Sequence, residues 1–214
     1  IIQGKILGKI NFIDFYKKNK FQAFFNTKNQ LHLIDRNGKY VDGFPKNLPT
    51  STSIGHCLID YDMNKKYRII IVGDDNILYN LDKKGENVFG WQHTKTSNPI
   101  NRSPIHFIVN GKDYILNATN NSTTKLLARN GSDRVTFKDF EDFITPVKIS
   151  KDGTLYSITT EKKIWTGYLD GMTKILDSPK VDTTTKILFY NDGWYITKEN
   201  TISYINNTQE KEMN

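Results

Sequence analysis

The sequence predicts an all-β fold built from repeated four-stranded antiparallel sheets, and three observations predict it. A glycine-punctuated unit recurs about every 46 residues. Each unit holds four short runs of period-two alternation, the pattern of half-buried strands. No amphipathic helix is found anywhere, and the density of Tyr, Phe, Ile and Thr favours strands. Units of this length and composition are what a β-propeller blade requires.

The repeat is anchored by Gly38, Gly85 and Gly131, which close "LIDRNG", "NLDKKG" and "LLARNG" at spacings of 47 and 46 residues. Upstream, "ILGKINFIDF" (6–15) is echoed by "SIGHCLIDYD" (53–62), with Gly8 and Gly55 again 47 apart. Lysine-rich turns "KKNK" (17–20) and "NKKY" (64–67) follow in register, and a third copy runs through "SPIHFIVNGKDYILNA" (103–118). In the second unit the four runs are "HCLIDYD", "YRIIIVG", "NILYNLD" and "ENVFGW". A fourth blade follows in "FITPVKIS", "TLYSITTE", "KIWTGYLD" and "TKILD". The last unit has three runs, "TKILFYN", "GWYITKE" and "TISYIN", which the orphan strand "IIQGKIL" is expected to complete.

The expected organisation is one domain over 1–214, with blades at about 8–45, 54–92, 103–137, 143–177, and 184–206 plus 1–7. The blades form a closed five-bladed ring or part of a larger propeller. Closure removes exposed strand edges, which otherwise template aggregation. Alternation assigns Phe12, Phe24, Leu33, Ile70, Leu81, Ile115 and Leu127 to the blade cores.

The stretches "FFNTKNQLHLIDRNGKYVDGFPKNLP" and "IIIVGDDNILYNLDKKGENVFGWQ" resemble envelope-associated propeller proteins of Gram-negative bacteria, in the PQQ-like and FG-GAP-like repeat superfamily. The resemblance is clearest over residues 5–131 and fades beyond about 140. It implies an extracytoplasmic location, periplasmic or associated with the cell envelope. The chain opens on Ile1 rather than Met, which suits a removed leader or a cut from a longer protein. The resembling family has no settled activity; because propeller faces are broad and rigid and suit docking other proteins, the expected role is a non-catalytic protein-binding or scaffold module. The alternative is a degenerate quinone- or calcium-dependent propeller enzyme.

The residues offer that alternative little. Quinone-dependent relatives stack the cofactor on tryptophan beside a calcium-ligand set and an acidic base. Here Trp91, Trp165 and Trp194 fall at dissimilar places in their blades and are expected to staple neighbouring blades together. "DYDMN" sets Asp60, Asp62 and Asn64 at alternating positions, the first half of a calcium loop. Lys65, Lys66 and Tyr67 then stand where the turn glycine and a later acidic ligand belong. His32, His56, His93 and His106 come from separate runs without metal-ligand spacing. No nucleophile motif or phosphate-binding glycine loop occurs. The expectation is therefore no catalytic residue, no metal site and no cofactor. The one cysteine, Cys57, alternates with apolar neighbours and reads as a structural thiol.

The chain carries 30 basic and 23 acidic residues, a net charge of +7, which permits an anionic partner. In a four-stranded blade the first-to-second and third-to-fourth turns share one face of the ring. Lys17, Lys18, Lys65, Lys66, Lys83 and Lys84 fall in such turns and are the expected partner-binding residues. Their partner would be another protein, acidic in character, a polyanionic glycan or lipid head groups. Nucleic acid is disfavoured, because base stacking needs exposed aromatics among the cations and these turns have few. The opposite face takes the longer polar loops at 45–53, 93–103 and 177–185. No apolar run reaches the roughly 20 residues of a membrane-spanning helix.

Overall fold

The computed structural model describes residues 2–213 apart from 93, 94, 97, 118–123, 138–141, 177–180, 191, 192, 200 and 207–209. Every regular element among the described residues is a strand. No helix there is long and apolar enough to cross a membrane. The strands form five antiparallel sheets of three or four members, each following chain order. The chain divides into two compact units, residues 1–120 with 124–134, and 121–123 with 135–214.

In the first unit, one sheet comprises β1 (Leu7–Ile13), β2 (Gln22–Asn26), β3 (Gln30–Ile34) and β4 (Lys46–Asn47). The second comprises β5 (Cys57–Ile59), β6 (Arg68–Val72) and β7 (Leu78–Asp82). The third comprises β8 (Ile105–Val109), β9 (Lys112–Asn117), β10 (Lys125–Leu127) and β11 (Asp133–Thr136), whose last two residues are counted with the second unit. Strand β6, "RIIIV", shows why these sheets stack. Its Ile69 and Ile71 enter a cluster with Phe24, Leu31 and Leu33 of the first sheet. Its Ile70 and Val72 enter a second cluster with Ile115 and Leu127 of the third. Because strand side chains alternate, an unbroken run of β-branched residues can satisfy two neighbours at once. Each such side chain contributes about 1.5–3 kcal/mol when fully buried.

In the second unit, β12 (Lys148–Ile149), β13 (Leu155–Ile158), β14 (Ile164–Gly167) and β15 (Thr173–Leu176) form one sheet. The other contains β16 (Lys186–Tyr190), β17 (Gly193–Lys198), β18 (Thr201–Asn206) and β19 (Glu210–Met213). Tyr156, Ile158 and Ile164 of the former meet Ile187, Trp194 and Ile196 of the latter in one cluster.

The recurrent glycines have a conformational reason. Gly38, Gly85 and Gly131 have φ of 77°, 80° and 82°. Each donates its N–H to the carbonyl three residues earlier, Asp35, Asp82 and Ala128. This is a type I turn closed by a left-handed residue, which joins strands without splaying them. Gly8 and Gly55 are kept for another reason. A Cβ on Gly55 would sit 2.5 Å from the Gly8 Cα, so the first two sheets touch backbone to backbone there.

Three sequence expectations change. Phe12 is 71% exposed, while Phe24, Leu33, Ile70, Leu81, Ile115 and Leu127 are fully buried. Strand β1 pairs Asn11 with Phe24 and Phe12 with Ala23, after an irregularity between Leu7 and Asn11. That register puts Asn11 and Ile13 on the inward face and turns Phe12 outward. The fourth run of the second unit supplies only a bridge, Leu81 to Asn87. The chain then passes Gly90 at φ 80°, as the first sheet passes Gly43 at φ 83° before β4. The last sheet takes its fourth strand from Glu210–Met213, while residues 2–6 carry no strand.

A buried polar cluster joins the first two sheets. His56 donates its backbone N–H to the Asn26 Oδ1 at 3.0 Å, and its Nδ1 lies 3.0 Å from the same oxygen. Its Nε2 lies 2.9 Å from the Asn11 carboxamide, and Phe24 packs edge-on at 4.9 Å. Burial pushes the imidazole down to about 4. The unfolded chain takes up that proton near pH 6.5, whereas the folded chain does so only near 4. Stability is therefore lost as pH falls through that window, by on the order of 3 kcal/mol from this residue.

Two outcomes follow. Urea titrations from pH 7 to 4 should show falling stability, and His56→Gln should flatten that fall. Gly55→Ala should cost about 1–3 kcal/mol in the same assay, because the contact is backbone on both sides.

Candidate partner-binding surface

The lysine-bearing turns of the first unit are built on aspartate. The β1–β2 turn runs from Asp14 to Phe21, and the β5–β6 turn from Asp60 to Tyr67. Asp14 accepts the backbone N–H groups of Lys18 and Asn19, both at 2.9 Å. Asp60 accepts those of Asn64 and Lys65, at 3.1 and 2.9 Å. Lys17 and Asn19, and likewise Met63 and Lys65, have left-handed φ between 49° and 61°. That conformation is costly for residues with a Cβ, and the carboxylate offsets the cost by gathering amides that would otherwise lack partners.

Neighbouring blades are stitched through the same turns. The Lys65 ammonium lies 2.5 Å from the Asp14 carboxylate and donates to Asn19 Oδ1 at 3.2 Å. That hydrogen bond from Lys65 leads the influences that hold Asp14 down to about 2, aided by the turn amides. The Asp14 N–H donates to the Tyr67 hydroxyl at 3.2 Å. The Lys83 ammonium donates to the Phe15 carbonyl at 2.8 Å and sits 4.5 Å from the Phe15 ring centroid. Arg129 repeats this one blade later, donating to the Tyr61 carbonyl at 3.3 Å with its guanidinium 4.7 Å from the Tyr61 ring. Both pairs are 68 residues apart in sequence. Arg129 also binds Asp62 at 2.7 Å and, through Nε, the buried Asp113 carboxylate. His106 approaches that carboxylate from its other oxygen at 2.7 Å.

The six expected lysines therefore divide by role. Lys65 and Lys83 are half-buried and hold turns together, whereas Lys17, Lys18, Lys66 and Lys84 are exposed. Lys20 belongs with the exposed set. None of these five exposed ammonium groups is in an ion pair among the described residues. The turns also display Tyr16, Phe21 and Met63, at 50%, 58% and 87% exposure. Of these, Tyr16 and Phe21 are aromatic, and each stands beside a lysine in a turn too short to bury it.

The remaining candidates have structural partners. In the calcium-like loop, Asp60 is occupied by turn amides and Asp62 by Arg129. His32 stacks on Phe25 at 4.9 Å and contacts Thr27 and Tyr40; burial lowers its pKa. His93 and part of the 93–103 and 177–185 loops lie outside the described residues. Cys57 is half-buried on β5, where burial pushes its thiol up to about 11. Trp91 packs against the second of the two clusters in the first unit and donates to the Leu78 carbonyl at 2.7 Å. Trp165 packs on Phe137 and Phe143, and Trp194 on Tyr156 and Phe189. All three tryptophans thus fill packing between or beside sheets.

No protein-family model matches the chain, and no curated protein matches it in sequence. Solved structures do match. BBS1N, solved in complex with ARL6DN, aligns with a TM-score of 0.59 at 11% identity, over 99% of this chain and 66% of that one. BamB from Moraxella catarrhalis aligns with a TM-score of 0.58 at 14% identity, over 98% and 61%. A chain of an active polycomb repressive complex 2 aligns with a TM-score of 0.59 at 12% identity, over 95% and 50%. This chain thus spans between half and two-thirds of the length of these structures. The likeness shows the fold: the five sheets are of the β-propeller class.

The repeated clamp gives a graded expectation. Arg129→Ala should cost about 1.5–3 kcal/mol in chemical denaturation, because it strips a charged hydrogen bond from the buried Asp113 and another from Asp62. Lys83→Ala loses one carbonyl bond and a cation–ring contact and should cost about 1 kcal/mol.

Proposed function

We propose that the chain is a non-catalytic propeller module of a bacterial cell envelope that docks other proteins, and that the lysine-bearing turn face of its first unit meets an anionic partner. The observation that carries the reading is the set of exposed, unpaired ammonium groups on turns that are themselves held rigid. Lys17, Lys18, Lys66 and Lys84 are the contacting residues, and Lys65 and Lys83 set the turns that present them. Docking onto preformed turns limits the ordering cost that weakens binding by flexible loops. Two of the similar structures support the protein-binding part, since BBS1N was solved in complex with ARL6DN and polycomb repressive complex 2 is an assembly. BamB from Moraxella catarrhalis supports the bacterial setting only as a likeness of fold.

The test is affinity capture from native cells, comparing wild-type bait with Lys17→Glu/Lys18→Glu/Lys66→Glu/Lys84→Glu. Wild-type bait should retain a partner that elutes with rising salt, since exposed charges are screened over about 8 Å at physiological ionic strength. The charge-reversed bait should lose that partner with its thermal midpoint nearly unchanged. Retention of the partner and of its salt dependence by the variant would move the binding site to the loops opposite.

A further inference from the structure

Residues 14–21, 60–67 and 82–86 of the turn face hold seven lysines and five acidic residues. Four of the five acidic groups have partners, and the fifth, Glu86, is exposed. Asp14, Asp60 and Asp82 are occupied by turn amides, and Asp62 by Arg129. The outward charge is therefore largely lysine. Tyr16 and Met63 protrude from the two turns that Lys65 stitches together, and Phe21 stands at the base of the first. Met63 holds a left-handed conformation at the turn's tip, φ 49°, in the place that Lys17 takes in the preceding blade.

We infer that this face seats the protein on an anionic lipid surface, with Tyr16, Phe21 and Met63 entering the interfacial layer and Lys17, Lys18, Lys20, Lys66 and Lys84 contacting head-group phosphates. The inference rests on the proposed reading of this face as an anion-docking surface and names the partner's chemistry. Three features favour lipid over an acidic protein or RNA. Lysines outnumber arginine among the exposed cations of the turn face, where Arg36 of the 35–38 turn is also exposed; they are flexible point charges suited to a fluid array of phosphates, whereas bidentate recognition favours arginine. Lysine is depleted from protein–protein interfaces. The most exposed of the three apolar side chains on this face is Met63, which has no ring to stack on a base but can enter an acyl boundary. Apolar tips among basic residues are the composition of interfacial binding, in which apolar burial and attraction to anionic lipid add.

The experiment is co-sedimentation of the whole chain with phosphatidylcholine vesicles, with and without phosphatidylglycerol. Retention on immobilised polyglutamate and on single-stranded RNA is measured in parallel. Wild-type protein should bind only the phosphatidylglycerol vesicles, with affinity falling about fivefold for each exposed lysine removed. Tyr16→Ser/Phe21→Ser/Met63→Ser should retain its thermal midpoint and polyglutamate retention while losing at least tenfold in vesicle binding. Vesicle binding unaffected by the serine variant would overturn the seating. Retention on polyglutamate without vesicle binding would overturn the lipid assignment and leave the anionic docking face standing. Preference for RNA over both would overturn it in favour of nucleic acid. Binding to none of the three would remove both readings together.

Discussion

The structure depends on one constraint: an inner strand of a blade must bury both of its faces. Strand β6 meets it with Ile69 and Ile71 toward one neighbouring sheet and Ile70 and Val72 toward the other. A sheet buried on one side only would present the opposite row to water at about 25 cal/mol for every Å² left exposed. Stacking therefore repeats along the chain, and the repeat length follows from four short strands and their turns. The Gly8–Gly55 contact belongs to the same constraint, because stacked sheets can converge only where one pair of backbones lacks side chains.

Stacking also decides how the turns are used. Once the first two sheets lie face to face, the turn of one blade comes within reach of long cations from the next. Lys83 and Arg129 occupy equivalent places, each capping the carbonyl and ring of an aromatic 68 residues earlier. The carboxylates are occupied within the turns, at Asp14 and Asp60, so the surface is left to lysine. A chain with a net charge of only +7 can in this way present a basic face without a large excess of basic residues. The same turns expose Tyr16, Phe21 and Met63, so the face is amphipathic as well as charged.

Much of the fold was legible because its signals are local. Period-two alternation marked the strands, and the left-handed turn glycines marked the repeat, since only a residue without a Cβ adopts that φ freely. Six of the seven expected core residues are buried for the same reason. Phe12 failed because facing is a matter of register: an irregularity between Leu7 and Asn11 turned it outward, and alternation alone cannot see a shifted register.

The lysine face was legible as six positions and not as two roles. By itself the sequence determined that those cations lie in turns, that the turns recur in step, and that the strands between them pack in sheets. Only the tertiary structure decided which cations remain free, because Lys65 and Lys83 are bound by groups 51 and 68 residues away. It also decided that Tyr16 and Met63 share a surface, since that follows from stacking one sheet upon another. Alternation and turn chemistry act over a few residues, whereas ion pairs and exposed patches form between residues that only the packed sheets bring together.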